Sequence, residues 1–265
     1  MTEDLLLEIG DGIARMTVNR PQARNALSPK MIQDMLQFCQ KIELDNGVRC
    51  LVIGGAGEHF MAGGDVKGFL EVIDLPPEEL RSNFMQRSID AGPLWTALER
   101  LPQPVLCSVR GFAAGVALSF VAGADLVVAS ENAKFLLAHV GLGLVPDGAS
   151  TYHLPRAVGV RRAKQMAFFG DRIDAAEALQ MGLVNWVVPD AELEARTEEI
   201  AQRLARAPSV SLAQSKFLMN RAQRASIDDQ LAGETLALGR CAMSEDLKEG
   251  VRAFVEKRKP QFRGQ

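Results

Sequence analysis

Two glycine-rich stretches each follow a predicted buried strand, and their residue types suit the binding of an anion or an oxyanion. The first covers residues 57–67, with the sequence GEHFMAGGDVK, and the second covers residues 110–117, with the sequence RGFAAGVA. A loop of small residues between a strand and a helix exposes backbone N–H groups beside the positive end of the helix. Two such loops could converge on one oxygen atom, although either composition alone is also that of a tight turn.

Three polar side chains are candidates for proton transfer or for contact with a substrate. Asp147 lies in the sequence VPDG, and its apolar neighbours should desolvate the carboxylate and improve it as a base. His139 is a rival base, since imidazole exchanges protons near neutral pH. Ser119 is predicted to line the pocket as a hydroxyl. Asp147 could instead cap a helix over 148–155, and His139 could simply fill the pocket.

Several common chemistries find no support in the sequence. No G-x-G-x-x-G or Walker A motif opens a helix, and no G-x-S-x-G nucleophile elbow occurs. The three histidines are not at the spacing of a metal-binding helix. The cysteines form no Cys-x-x-Cys pair, so buried, reduced thiols are expected rather than a disulfide or a zinc site. They are Cys39, Cys50, Cys107 and Cys241.

Alternating strands and helices must position these loops. Apolar runs predict strands over 5–9, 13–18, 48–53, 104–109, 126–129 and 134–137. Helices are expected after Ser28, over 83–100 and from about Gly115, which gives a layered α/β fold. Residues 209–224, 227–243 and 245–259 read as consecutive helices. The chain is therefore divided into a core over 1–195 and a helical region over 196–265.

Composition and charge bear on whether the protein binds nucleic acid, spans a membrane or is exported. The 265 residues carry a net charge of −3, which argues against a protein that coats nucleic acid. Residues 112–129 are apolar and overlap a G-x-x-x-G spacing, so a membrane span is an alternative there. Asp125 interrupts this segment, which favours a buried helix followed by a strand. The acidic residues 1–11 resemble neither a signal nor a transit peptide, so a cytoplasmic location is expected.

An ordered set of motifs along nearly the whole chain resembles the crotonase, or enoyl-CoA hydratase/isomerase, superfamily. The motifs are FxAGxD at 60–65, GxAAG at 111–115, GLVPDG at 143–148, LPRxVG at 154–159, AxxxGLV at 178–184 and EGVxAFxEKRxP at 249–260. The resemblance implies a ββα spiral core and a C-terminal helical region that builds trimers, often paired into hexamers. It implies acyl-CoA thioesters as substrates. It implies no metal or redox cofactor. Coenzyme A enters only as part of the substrate.

The resemblance also implies roles for individual residues. The N–H groups of Gly64 and Val116 would form an oxyanion hole for the thioester carbonyl, worth roughly 3–4 kcal/mol for each donor. The substrate-binding residues implied elsewhere are Arg24, Ala26, Ala62, Gly63, Asp65, Val66, Gly115 and Ser119, with Arg24 and Ala26 along the CoA tail. Phe254 and Lys257 match positions that meet CoA from a C-terminal helix of the same or a neighbouring subunit. Residues 248–263 carry six basic and two acidic side chains, which suits phosphate groups but is equally the composition of a solvated helix.

Two departures from the family pattern bear on the reaction. The positions of the two glutamates of typical hydratases are occupied here by Ser119 and His139. Asp147 resembles the acid of enoyl-CoA isomerases, including the ring-opening isomerase of the phenylacetate pathway. The sequence therefore predicts an isomerase that uses Asp147 as its acid and base. A hydratase that uses His139 and Asp147, and a non-catalytic CoA-binding subunit, are the alternatives.

Overall fold

The fold begins with the predicted hairpin. A computed structural model describes residues 4–264, and its first elements are the antiparallel strands β1 (Leu5–Gly10) and β2 (Ile13–Val18). Asp11 and Gly12 connect them with φ values of 53° and 76°. Both residues of a tight two-residue hairpin need positive φ, which an Asp-Gly pair adopts at low cost.

Two helices and two strands follow. Helix α1 (Pro29–Glu43) begins as predicted, because the Ser28 hydroxyl accepts a hydrogen bond from the Met31 N–H. Strand β3 (Cys50–Gly55) leads into the first glycine-rich loop. Helix α2 (Pro77–Arg100) starts six residues before the predicted residue 83, with proline in its first turn and two glutamates beside the helix N-terminus. Strand β4 (Val105–Val109) then returns to the sheet.

The apolar segment 112–129 forms three short elements. These are β5 (Phe112–Ala114), α3 (Ala117–Gly123) and β6 (Leu126–Ser130). The Asp125 carboxylate at the break accepts a hydrogen bond from the Val105 N–H at 2.7 Å. Within residues 4–264, no helix has the length and apolar character needed to cross a membrane.

The next part of the chain returns to the sheet through short helices. Its elements are β7 (Lys134–Leu136), α4 (Ser150–Val158), α5 (Val160–Phe169), β8 (Ile173–Asp174), α6 (Ala175–Met181) and β9 (Trp186–Val188). The break between α4 and α5 falls at Gly159, whose φ is 82°. Glycine adopts this conformation without the steric penalty that side chains impose.

Four helices complete the chain: α7 (Leu193–Ala205), α8 (Ser209–Ala222), α9 (Ile227–Ala242) and α10 (Glu245–Val255). The last three match the predicted helices, although each ends before the predicted residue. Helix α7 contains the expected boundary at residue 195, and its buried residues Leu193, Ile200 and Ala201 pack on the sheet. The division into two domains stays a prediction.

Two sheets organise the core. The larger has the order β1-β2-β3-β4-β6-β9 and is parallel from β2 onward; the smaller has the order β5-β7-β8. Side chains alternate across strand β3, because Cys50 and Val52 face α7 while Leu51 and Ile53 enter the main core. Both faces of the parallel sheet are thus covered, as such sheets require.

Burial of one histidine predicts a dependence of stability on pH. His153 of α4 packs against Gly123, and burial lowers its pKa from the ordinary value of 6.5. The unfolded chain then binds more protons than the folded chain, so the free energy of unfolding falls as the pH drops through about 6.5. We expect H153Q to unfold with a shallower pH dependence between pH 7.5 and 5 than the wild type, measured by urea denaturation. Equal slopes would contradict this.

Candidate active site

The two glycine-rich loops lie side by side and run in parallel. Met61 pairs with Ala113 as an isolated parallel bridge, in which the Met61 N–H donates to the Phe112 carbonyl at 3.0 Å and the Ala114 N–H donates to the Met61 carbonyl at 2.9 Å. In a regular parallel pair, residues at equal distances beyond a bridge are neighbours, and here Gly63 and Gly115, two residues beyond it, are in contact. Gly64 and Val116, the two predicted oxyanion donors, each follow the bridge by three residues.

Close contact between the loops depends on glycine. A Cβ atom on Gly63 would lie 2.9 Å from the Ala114 carbonyl oxygen, and the φ of Gly63 is 101°. Real Cβ contacts essentially never fall below 3.0 Å, so only glycine fits there. A Cβ on Gly115 would in turn lie 3.6 Å from the Cα of Gly63. The two backbones therefore approach each other directly, with no side chain between them.

The two predicted donor amides are free. Neither the Gly64 N–H nor the Val116 N–H donates a hydrogen bond to any residue in the range 4–264. Their neighbours are occupied, since the Asp65 N–H binds the Leu27 carbonyl and the Gly115 N–H binds the Leu136 carbonyl, each at 3.0 Å. Val116 is the residue before α3, one position outside the helix turn predicted for it, where amides lack intrahelical acceptors.

A third loop, residues 20–28, lies against the first glycine-rich loop. The Ala62 N–H donates to the Arg24 carbonyl at 2.9 Å, and the Leu27 N–H donates to the Gly63 carbonyl at 2.8 Å. The Arg24 side chain is exposed and Ala26 is half-buried. The structure thus places both predicted CoA-contact residues beside the candidate oxyanion loop.

Asn25 and Arg20 hold that third loop, and the sequence reading missed both. Asn25 is fully buried at a φ of 58°, and its amide group donates to the carbonyls of Ala56 and His59. The guanidinium of Arg20 binds Asp65 at 3.3 Å. Asparagine tolerates the left-handed conformation in turns. This preference is the one feature of the sequence that could have indicated the role of Asn25. Val66, a predicted substrate-binding residue next to Asp65 in the chain, is exposed.

A backbone hydrogen bond and two ion pairs of Arg110 anchor the end of β4, where the second loop begins. The Arg110 carbonyl accepts from the Phe60 N–H at 2.7 Å, while its guanidinium binds Asp190 at 2.8 Å and Glu194 at 2.7 Å. Hydrogen bonds from the Ser130 hydroxyl and from Arg110 hold the pKa of Asp190 below its ordinary value. Arg110 likewise lowers the pKa of Glu194. Both carboxylates therefore stay charged, and the ion pairs tie the loop to the chain after β9.

The remaining wall of the site carries Asp147 and His139. The Nε2 atom of His139 lies 3.3 Å from Oδ1 of Asp147, and the imidazole packs against Gly115. The Asp147 side chain is 52% exposed and that of His139 only 11%. Desolvation of the carboxylate by its apolar sequence neighbours is therefore not found in the free chain, because Val145 points outward and is itself exposed.

Asp147 does not cap a helix. Helix α4 begins at Ser150, two residues after the predicted start, and Ala149 precedes it without a side-chain cap. The Asp147 carbonyl instead accepts from the hydroxyls of Ser119, at 3.2 Å, and Ser150, at 2.7 Å. Ser119 is buried, and its hydroxyl donates to the Asp147 carbonyl; its predicted contact with the substrate stays a prediction.

Phe254 and Lys257 lie at the C-terminal end of α10. Phe254 is 86% exposed, and Lys257 follows the helix at a φ of 54°. Among residues 4–264, neither side chain forms a hydrogen bond or an ion pair with the glycine-rich loops. Their predicted contact with CoA stays a prediction. Within the same residues, no group of three or more His, Cys, Asp or Glu side chains could hold a metal ion.

Comparison with known proteins identifies the family. Residues 8–265 match the family model of enoyl-CoA hydratase/isomerase. The chain is 35% identical to a 1,2-epoxyphenylacetyl-CoA isomerase of Escherichia coli over 100% of both chains. It is 37% identical to a short-chain-enoyl-CoA hydratase of Clostridium acetobutylicum over 97% of this chain and 96% of that protein. A crystal structure of an enoyl-CoA hydratase/isomerase from Cupriavidus metallidurans superposes with a TM-score of 0.91 at 28% identity, covering 100% and 97% of the two chains.

The chain has the crotonase fold. It belongs to the enoyl-CoA hydratase/isomerase family of the crotonase superfamily and is an enzyme of that family. The resemblance noted in the sequence is confirmed. The relatives include both isomerases and hydratases by name, so the family alone does not choose between the two reactions.

Two glycines on one loop provide a matched test of the site's packing. A Cβ on Gly148 would lie 2.6 Å from Val116 Cγ2 and 2.7 Å from Ser119 Oγ, whereas a Cβ on Gly143 would meet nothing within 4 Å. Both have positive φ, 61° and 69°, so alanine at either costs about 1–2 kcal/mol of backbone strain. We expect G148A to lower the free energy of unfolding by a further ~1–3 kcal/mol through overpacking.

The two variants are compared by chemical denaturation and by turnover of the enoyl-CoA substrate. G143A should remain active, while G148A should also lose activity, because the side chains of Val116 and Ser119 must shift. Equal loss of stability and activity in the two variants would mean that Gly148 does not set the spacing between these residues.

Proposed function

We propose that this enzyme is an enoyl-CoA isomerase that shifts a C=C bond of an acyl-CoA thioester, with Asp147 as its one acid and base. The observation that supports the proposal is a pair of free backbone amides, on Gly64 and Val116 of two adjoining loops, with the His139–Asp147 pair beside the second loop. A reaction through an enolate needs these parts: donors for the oxygen that gains charge and one base beside the carbon that loses a proton.

The first step removes a proton. The thioester oxygen accepts hydrogen bonds from the N–H groups of Gly64 and Val116, and the Asp147 carboxylate takes a proton from the α-carbon. The C–H electron pair forms a new bond between the α-carbon and the carbonyl carbon. The carbonyl π electrons move onto oxygen, where the two amides stabilise the negative charge.

The second step returns the proton two carbons away. The enolate re-forms its carbonyl, the π electrons of the original C=C bond attack the proton on Asp147, and the γ-carbon gains it. The double bond now lies between the α- and β-carbons, and Asp147 is again a carboxylate. No water is consumed and no second base is required.

Binding of the CoA portion uses the loop that follows β2. The loop that carries Arg24 and Ala26 is hydrogen-bonded to Ala62 and Gly63, and the exposed side chain of Arg24 suits the pyrophosphate. Phe254 and Lys257 are proposed to meet the CoA of a neighbouring subunit, because they are exposed at the end of α10. These assignments follow the family pattern carried over to this chain.

Replacement of Asp147 tests the proposal. D147N preserves the size of the side chain but cannot accept a proton, so kcat for conversion of a 3-enoyl-CoA into a 2-enoyl-CoA should fall by about 10²- to 10⁴-fold. The absorbance of the conjugated thioester follows the reaction. D45N is the matched control, since the Asp45 carboxylate, among residues 4–264, accepts a hydrogen bond only from the Gly47 N–H in an exposed turn; its kcat should equal that of the wild type.

Other outcomes separate the alternatives. An unchanged kcat in D147N would exclude Asp147 as the base. Incorporation of ¹⁸O from labelled water into a 3-hydroxyacyl-CoA would indicate a hydratase. Binding of acyl-CoA by calorimetry, without turnover of any 2-enoyl- or 3-enoyl-CoA, would indicate a non-catalytic subunit.

We also propose that the chain self-associates through its C-terminal helices into trimers, which can pair into hexamers. Ile227, Leu231 and Leu238 form an exposed apolar stripe along α9 at helical spacing. Helix α10 carries a second stripe at the same periodicity, composed of Leu247, Val251, Phe254 and Val255. Contiguous apolar surface of this kind marks a protein interface.

A charge within the α9 stripe should weaken the assembly. We expect L238E to lower the mass measured by light scattering toward that of the 28.8 kDa monomer, because the carboxylate would be buried without a partner. L44E is the control. Leu44 is 85% exposed and Leu238 is 73% exposed, but Leu44 lies at the end of α1 and outside the stripe. A wild-type mass of one chain, or an L238E mass equal to that of the wild type, would contradict the proposal.

A further inference from the structure

Asp147 is held at both its backbone and its side chain. Its carbonyl accepts from two serine hydroxyls, Ser119 and Ser150, and from the Ser150 N–H at 3.0 Å. Its carboxylate is half exposed and contacts His139 through Oδ1. No other side chain in residues 4–264 forms a hydrogen bond with this carboxylate. His139 is therefore what restrains a side chain that would otherwise rotate in solvent.

The two nitrogens of the imidazole have different surroundings. A carboxylate oxygen only accepts hydrogen bonds, so Nε2 of His139 must carry the proton in the contact with Asp147. The other ring nitrogen, Nδ1, is buried and has no hydrogen-bond partner among residues 4–264. A proton on Nδ1 would be a buried donor without an acceptor, which is unfavourable, and more so for a charged ring.

We propose that His139 is a positioning residue, and not the base, of the isomerase. This inference rests on the proposed function. The neutral ring donates from Nε2 to Oδ1 of Asp147 and keeps that proton throughout. Oδ2 is left free to take the proton from the α-carbon and to return it to the γ-carbon. One oxygen atom then performs both transfers, on one face of the enolate.

A single carrier has a measurable consequence. A proton that stays on Oδ2 between the two steps can reach the γ-carbon before it exchanges with water. Deuterium placed on the α-carbon of a 3-enoyl-CoA should therefore appear in part on the γ-carbon of the product. A base that passed the proton on to His139 would offer a second exchangeable position and reduce this transfer.

Three variants separate positioning from proton transfer. H139Q keeps an N–H donor but cannot titrate, H139F keeps a planar ring without a donor, and H153Q removes a histidine outside the site. We expect H139F to lose about 10- to 100-fold in kcat with KM unchanged, since a small displacement of a catalytic group has effects of this size. H139Q should recover most of kcat, retain the label transfer and keep the pH profile of the wild type. H153Q should match the wild type in kcat and in label transfer.

Two results would overturn the proposal. If H139Q is as impaired as H139F and loses the acid limb of the pH profile, the imidazole is the base. If H139F retains the full kcat and label transfer, His139 does not position Asp147.

A measurement without substrate keeps this inference separate from the proposed function. The ¹⁵N spectrum of labelled histidine should give a protonated Nε2 and an unprotonated Nδ1 for His139 at neutral pH, assigned by comparison with H139Q. The Nε2 resonance should shift in D147A. A doubly protonated ring or the opposite tautomer would refute the inference. Failure of the wild type to isomerise any 3-enoyl-CoA would refute only the proposed function.

Discussion

The parallel bridge between Met61 and Ala113 is the contact on which the rest of the site depends. It joins the two glycine-rich loops, which follow the adjacent strands β3 and β4, and Gly64 and Val116 each come three residues after it. Glycines at 63 and 115 let the two backbones touch. Because both amides belong to the main chain and are already oriented, they need no reorganisation when charge develops on an oxygen between them.

The surrounding fold keeps that bridge in place. Strands β3 and β4 are adjacent and parallel, so both loops leave the same edge of the sheet. The ion pairs of Arg110 with Asp190 and Glu194 fasten the second loop. The buried amide of Asn25 fastens the loop that flanks the first. Three non-glycine residues with positive φ, Arg24, Asn25 and Ala149, lie in the loops around the site, and such strain is common where a scaffold positions reactive groups.

The sequence predicted the parts of the site that depend on local pattern. Alternating apolar runs located the hairpin and the parallel strands, and small residues after β3 and β4 marked the two loops. Contacts between distant residues were not readable. The exposure of Asp147, its contact with His139, and the serine hydroxyls on its carbonyl all result from the way α3, α4 and the loop over 139–147 pack. The early start of α2 at Pro77 was missed because the apolar periodicity begins later than the helix.

Ser119 and His139 show what the residue types alone could not predict about the site. In the sequence they stand at the positions of the two hydratase glutamates, and they were predicted to be a pocket hydroxyl and a rival base. In the structure both contact Asp147, one through its carbonyl and one through its carboxylate. A departure from the family pattern is thus physically connected to the residue that takes over proton transfer in the proposed mechanism.

The most direct measurement is a crystal structure of the D147N enzyme with a bound 3-enoyl-CoA. The account predicts that the thioester oxygen lies about 2.7–3.1 Å from the backbone nitrogens of both Gly64 and Val116. An oxygen that contacts only one of these nitrogens, or points away from both, would contradict the account.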